Sequence, residues 1–213
     1  MTLFRAVVGG DPGPVLKSRR LKLRAPELTD HAAWAELREE SRAFLKPWEP
    51  SWPADDLTRP AFKRRVKRYQ REIRDDAGYP FFLFRQEDDR LVGGITLSNV
   101  RRGVTQSCSL GYWMGERYAG RGYMGEAVRA VIPFVFDHLR LHRLEAASMP
   151  SNARSLALLE KAGFTREGFA RQYLLIDGRW QDHVLFGLVA DDARAAPAPE
   201  VRAEKPDPLV GIL

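Results

Sequence analysis

The chain has 213 residues, of which 44% are hydrophobic, enough to bury one sizeable core, so a single domain is expected. A lone cysteine, Cys108, excludes an internal disulfide and any multi-cysteine metal site. No apolar run approaches the roughly 20 residues that cross a bilayer, and the N-terminal stretch lacks the apolar centre of a secretory signal, so a reducing cytoplasm is the expectation. The formal net charge of +6 admits an anionic partner without requiring one.

Residues 1–17 are rich in Gly and Pro and read as irregular; the domain is expected over 18–190. RRLKLRA alternates apolar and polar residues and predicts a strand, and LTDHAAWAELREESRAFL predicts a helix with Thr29 or Asp30 as its cap. A Trp- and Pro-rich loop, KPWEPSWPADD, leads to a second helix, RPAFKRRVKRYQREIR, over 59–74. YPFFLFRQ, the turn EDD and RLVGGITLSNV predict a hairpin; RRG then turns the chain into a longer strand, VTQSCSLGYWMG. The glycine-bearing stretch GERYAGRGYMGEAVRAV opens a helix running to about Leu139, and HRLEAASM is a fifth strand. SNARSLALLEKAG is a short helix that stops at Gly163. FTREGFARQYLLI and RWQDHVLFGLV are strands joined by the tight-turn pair Asp177-Gly178. From Asp191 the Ala-, Pro- and charge-rich sequence to residue 213 predicts a disordered tail. This order implies an α/β (α+β) layer fold with a mixed, mostly antiparallel sheet flanked by helices, and not a strict Rossmann alternation.

The glycine stretch carries the first functional signal. Gly120 and Gly122 permit a sharp turn with no side chains in the way. The N–H groups of residues 120–125, including Tyr123, Met124 and Gly125, then converge at a helix start. Orphan donors and the positive end of the helix dipole make an anion site, with Arg117 and Arg121 adding charge. A plain strand-to-helix turn is the competing reading. A Walker-type phosphate loop is absent, because Gly125 is followed by Glu126 and Ala127, and the Gly spacing at 120, 122 and 125 is a weak dinucleotide match.

Arg117-Tyr118-Ala119-Gly120-Arg121-Gly122 resembles the R/Q-x-x-G-x-G/A signature of the GCN5-related N-acetyltransferase superfamily. Downstream, Asn152-x-x-Ser155 and Glu160-Lys161-Ala162-Gly163-Phe164 are similar to that family's second signature. FLKPWEP, SNVRRG, LGYWMG and YLLIDGRWQDHVL resemble the RimJ-type ribosomal-protein-alanine branch. The resemblance implies the GNAT fold, with six to seven strands splayed between the central ones. It also implies acetyl-CoA as cosubstrate, its pyrophosphate in the glycine turn, and no metal. Trp113, Met114 and Gly115 would offer backbone to the pantetheine arm, with an N–H near Met114 polarising the thioester carbonyl. Asn152 would bind pantetheine, with Ser151 free to cap the helix in its place, and Ser155 would protonate the departing thiolate. Glu145 is the candidate general base by resemblance, with Glu49 and Tyr112 as alternatives; Leu174 stands where related serine acetyltransferases place a glutamate. Glu145 reads equally as a strand residue paired with an arginine. Cys108 is expected to be a buried strand residue, and His31, His138, His142 and His183 lack metal-ligand spacing.

The resemblance points to the N-terminal α-amine, alanine foremost, of a ribosomal protein as acceptor. A site without a strong base suits that amine, since its pKa of about 7.7–8.0 leaves a sizeable neutral fraction where lysine, near 10.4, does not. Phe62, Val66, Tyr69 and Ile73 form one face of the 59–74 helix, and Lys63, Arg64, Arg65, Lys67, Arg68, Arg71 and Arg74 the other. Such a run is a solvated face or a contact for ribosomal RNA. Phe44, Trp48 and Trp52 in the loop before it are expected to staple the two helices to the sheet; the resemblance implies that the same region borders an acceptor groove, with the hairpin at Asp177-Gly178 as its other wall. The rival functions are acetylation of a small-molecule amine and a non-catalytic ribosome- or RNA-binding module.

Overall fold

The computed structural model describes residues 13–195. The strands are β1 (Leu16–Lys17), β2 (Leu21–Arg24), β3 (Tyr79–Arg85), β4 (Leu91–Arg101), β5 (Ser107–Met114), β6 (Arg143–Ser148), β7 (Thr165–Ile176) and β8 (Arg179–Val189). The helices are α1 (His31–Glu40), α2 (Arg42–Leu45), α3 (Arg59–Arg74), α4 (Tyr123–Pro133), α5 (Ala153–Lys161) and α6 (Ala190–Ala195). All eight strands belong to one sheet in the order β1-β2-β3-β4-β5-β6-β8-β7. Every neighbouring pair is antiparallel except β5 and β6.

The layering follows from β3. Its run YPFFLFR is apolar at nearly every position because both faces are covered, and successive side chains leave on opposite sides. Phe82 points to one face, where it meets Phe62 of α3 and Trp113 of β5, and Phe62 in turn packs on Trp34 of α1 at 4.8 Å between ring centroids. Tyr79 and Phe81 point to the other face and meet Phe134, just beyond α4, edge-on at 5.2 and 5.6 Å. The sheet therefore lies between α1 and α3 on one side and α4 with its extension on the other. Phe134 can sit there because the helix continues past Pro133 as a π-helical turn, Phe134–His138. Pro133 has no N–H for the carbonyl four residues back, and the wider turn follows it.

The structure departs from the sequence reading at three places. The sheet has eight strands, not six or seven. The extra one is β1, inside the segment expected to be irregular, where Leu16 is buried and the Ser18 N–H donates to the Leu21 carbonyl to close a short hairpin. The first helix breaks at Ser41, giving α1 and α2, and the Ser41 hydroxyl accepts from the Glu116 N–H across the sheet. The expected disordered tail begins instead with α6, anchored by the Ala190 N–H donating to the His142 carbonyl. The remainder of that tail, 196–213, and residues 1–12 lie outside the described residues. Asp30 stands before α1 as expected but makes no side-chain cap bond to it, whereas α3 spans 59–74 as read, and Asp177 and Gly178 both take positive φ in the hairpin turn.

Candidate active site

The central feature is a gap in the sheet. β5 and β6 pair in parallel from Ser107 with Arg143 to Leu110 with Ala146, and there the ladder stops. β5 continues beside β4 alone, while β6 continues beside β8 to Ser148 with Val184. The Gly115 N–H donates to the Val92 carbonyl, so residue 115 points its backbone towards β4. Polar groups alternate along a strand, so Trp113 shares that direction, whereas Tyr112 and Met114 turn theirs into the gap. This corrects the expected trio. Met114 stands as a free-edge donor, Tyr112 joins it, and Trp113 and Gly115 are committed to β4. Gly115 has a steric reason to lack a side chain, since a Cβ there would run into Leu37.

A cavity of about 180 Å³ occupies the gap, lined by Leu110, Gly111 and Tyr112 of β5, Ala147 and Ser148 of β6, and Asn152 and Ser155 beside α5. Its far wall is Leu174, Ile176 and His183 of the β7–β8 hairpin together with Trp48. Tyr112 and Ser155 meet there, with Oη and Oγ 2.8 Å apart. Burial raises the Tyr112 pKa above its ordinary value of 10, outweighing the hydrogen bond from Ser155, so the phenol keeps its proton at neutral pH. In the bond between them either hydroxyl can be the donor, and Tyr112, the alternative base of the sequence reading, stands in the cavity as a protonated phenol. Ser155 is aimed by Asn152, whose Oδ1 accepts from the Ser155 N–H at 3.1 Å. Asn152 itself is therefore the cap of α5, not Ser151, although Asn152 still lines the cavity and its Nδ2 has no partner among the described residues.

The glycine turn has the expected geometry. Gly120 and Gly122 have φ of 75° and 79°, the left-handed region that other residues avoid, and no side chain caps α4. A Cβ on Gly120 would meet nothing within 4 Å, so the turn is open on that side. Tyr123 and Met124 bury their side chains in the core, leaving only their N–H groups to face the loop. Of the two expected arginines, Arg121 is exposed, while Arg117 pairs with Glu40 at 3.1 Å. Sequence reasoning missed Arg20, whose guanidinium donates to the Arg121 carbonyl, lies 4.5 Å from the Tyr123 ring centroid and binds Glu126 at 2.7 Å. A hundred residues separate Arg20 from the turn, and no local pattern announces it.

On the α1/α3 face a second cavity, about 270 Å³, is lined by Trp34, Arg38, Glu49, Arg65, Tyr69, Phe82 and Trp113. It shares Gly111 and Tyr112 with the first, and a Cβ on Gly111 would meet nothing within 4 Å, so the two cavities lie side by side at that residue. Arg38 grips Glu49 through two bonds of 2.8 and 2.6 Å and lies between the rings of Trp52 and Trp113. Trp52 also donates to Glu49, at 2.8 Å, so that carboxylate is fully engaged. The Trp/Pro loop and the hairpin close against each other through the Asp177 N–H and the Glu49 carbonyl at 2.9 Å.

Glu145 is not brought to Ser155. It lies before the gap, accepts from Arg143 at 3.0 Å and sits 3.6 Å from Arg101, which is the paired strand residue of the plainer reading. Cys108 is fully buried on β5, and burial pushes its thiol up to about 12, so it is no nucleophile. Among the described residues no group of three His, Cys, Asp or Glu side chains has metal-binding geometry, and no helix is long and apolar enough to cross a membrane.

A sheet splayed beside a glycine turn at a helix start defines an acyl-group transferase of the acetyl-CoA type. A family model described as an acetyltransferase (GNAT) domain matches residues 20–165, and the chain belongs to that family, whose enzymes use acetyl-CoA. It is 38% identical over 165 residues to the Escherichia coli [ribosomal protein uS5]-alanine N-acetyltransferase, covering 76% of this chain and 85% of that one. It is 36% identical over 178 residues to the probable N-acetyltransferase YjcK of Bacillus subtilis, covering 84% and 98%. Among solved structures, Mycobacterium smegmatis RimJ in complex with CoA-disulfide superimposes with a TM-score of 0.80 at 30% identity, covering 87% of this chain and 93% of that one.

Proposed function

We propose that the protein transfers the acetyl group of acetyl-CoA to the α-amine of a protein N-terminus, alanine foremost, on a ribosomal protein in the cytoplasm. The observation that carries this reading is the gap beyond Leu110 and Ala146, where a Tyr112–Ser155 pair and free β5 backbone face one cavity. When bound, acetyl-CoA supplies an activated thioester. The residues present fit it: the open N–H groups of residues 120–125 suit a diphosphate, and the backbone of Tyr112 and Met114 suits a pantetheine amide. Asn152 Nδ2 adds a donor at the cavity wall. The Met114 N–H is the candidate donor to the thioester oxygen, and Ser155, backed by Tyr112, delivers a proton to the leaving sulfur.

The acceptor enters from the second cavity past Gly111. Neither cavity offers an unpaired carboxylate for a polycationic small molecule, because Glu49 is held by Arg38 and Trp52. Bringing a lysine to its neutral form takes about 3–4 kcal/mol more than an α-amine, from the difference of their ordinary pKa values. Similarity to an alanine-specific ribosomal-protein enzyme adds weight to the N-terminal reading. The α3 face is a contact for an anionic ribosomal surface, in a smaller form than its sequence suggests. Arg64, Arg65, Arg68 and Arg74 pair with Asp55, Asp56, Glu72 and Asp75, leaving Lys63, Lys67 and Arg71.

Purified protein incubated with acetyl-CoA and peptides beginning in Ala, Ser or Met, alongside small amines, tests the assignment by mass spectrometry. Acetylation at the peptide α-amine is the expected product. Acetylation of small amines alone would overturn the acceptor class, and no heat on titrating coenzyme A would overturn the whole reading.

A further inference from the structure

We propose that His183 is the general base that takes the proton of the acceptor's ammonium group. This rests on the acetyl-transfer reading but not on the identity of the amine. His183 is 3% exposed, sits on β8 and lines the same cavity as Tyr112 and Ser155. Its Nδ1 lies 3.0 Å from the Gln181 carbonyl oxygen. A carbonyl oxygen only accepts, so Nδ1 carries the hydrogen, and in the neutral ring Nε2 keeps its lone pair. The ring is fixed by Tyr173 of β7, edge-on at 5.8 Å between centroids.

The surroundings select this group by elimination. The polar side chains on the cavity wall are Tyr112 on β5, Ser148 on β6, Asn152 and Ser155 beside α5, and His183; none is a carboxylate, lysine or arginine. Facing His183 from β7, the titratable ring in contact with it among the described residues is Tyr173. Tyr112 holds its proton, and serine and asparagine do not accept one near neutrality. The carboxylates considered from sequence are engaged elsewhere, Glu145 with Arg143 and Arg101, and Glu49 with Arg38. Imidazole is the side chain that exchanges a proton between pH 5 and 8, where an α-ammonium must also lose one.

The protons balance. The ammonium gives one proton to Nε2, directly or through one water, and its nitrogen lone pair then forms the C–N bond to the acetyl carbon as the C–S bond breaks. The sulfur receives a proton through Ser155 and Tyr112, and the amide nitrogen's surplus proton restores that pair. His183 returns its own proton to solvent.

The first test needs no cofactor. In protein labelled with ¹⁵N-histidine, His183 is expected as the Nδ1–H tautomer at pH 8, with Nε2 unprotonated. An Nε2–H tautomer would overturn the proposal. The second test uses His183→Asn, whose amide retains the donor to Gln181, and His183→Gln, which does not. Both are expected to bind coenzyme A as the parent does, to lose about 100-fold in kcat/KM at pH 7, and to lose the acidic limb of the pH profile. A purely structural histidine predicts rescue by His183→Asn, and a folded variant within threefold of the parent would sink the idea. Running both on whichever amine is acetylated separates this outcome from failure of the acceptor class, and the tautomer seen in the labelled protein decides should both variants fail to fold.

Discussion

Replacing Tyr112 by Phe removes one oxygen from the centre of the site and leaves the ring. The lost contact is a single hydrogen bond to Ser155 at 2.8 Å, so stability should fall by about 1 kcal/mol, or about 2–4 °C in Tm for a domain of this size. The effect on turnover has a bound set by the leaving group. A thiol has an ordinary pKa of about 8.5, so at pH 7 the unprotonated sulfur lies roughly 2 kcal/mol above the thiol, about 30-fold in rate. Single-turnover release of the coenzyme A thiol should therefore slow by about 10- to 30-fold at pH 7, and the deficit should shrink above pH 8.5. Because burial raises the Tyr112 pKa, the parent enzyme should show no loss from phenol ionisation below pH 10. A deficit of equal size at pH 6.5 and 9.5, or no deficit in a variant that binds coenzyme A normally, would refute the proton-donor role.

Gly111→Leu should leave Tm within about 2 °C, because an added Cβ there meets nothing within 4 Å, yet raise the acceptor KM at least tenfold by filling the junction of the two cavities. Gly120→Ala forces an alanine to φ 75° and should cost about 1–2 kcal/mol in denaturant unfolding, with weaker coenzyme A binding by calorimetry. Burial alone would raise the Glu126 carboxyl, but bonds from the Arg20 N–H, the Ser18 hydroxyl and the Arg20 guanidinium outweigh it and hold it below the usual range. The folded pKa is depressed, so this stabilisation is full above the unfolded value near 4.5 and is lost as pH falls through the lower folded value. Glu126→Ala should therefore cost about 2 kcal/mol at pH 7 and flatten the stability curve below pH 4.5. Cys108 should resist alkylation at pH 8 until the protein unfolds, and a labelling rate like that of a free thiol would contradict its burial.

Elements with strong local physics were legible in the sequence. The α3 helix had a clean apolar stripe, and the Asp177-Gly178 turn had a residue pair suited to two positive φ values. The glycine turn was equally plain, since only glycine at 120 and 122 tolerates its backbone at no strain. The π-helical turn after Pro133 and the two-residue β1 were not: two residues are too short to show a strand period, and a proline marks a break without saying which wider turn follows it. The site divides in the same way. Ser155 and Asn152, read from a motif, line one cavity, while Glu145, read by resemblance, is paired with Arg143 and Arg101, because a strand's period does not say which side chains lie across the sheet.

The sequence by itself determined that the chain makes a mixed sheet with helices, where it turns, and that bare backbone amides wait at the start of α4. Those are local consequences of side-chain period and glycine freedom. Which backbone groups face the gap, which helix Tyr112 reaches, and that His183 shares a cavity with Ser155 were decided only by tertiary structure. Each depends on where the pairing of β5 with β6 ends, and that is a relation between segments more than thirty residues apart.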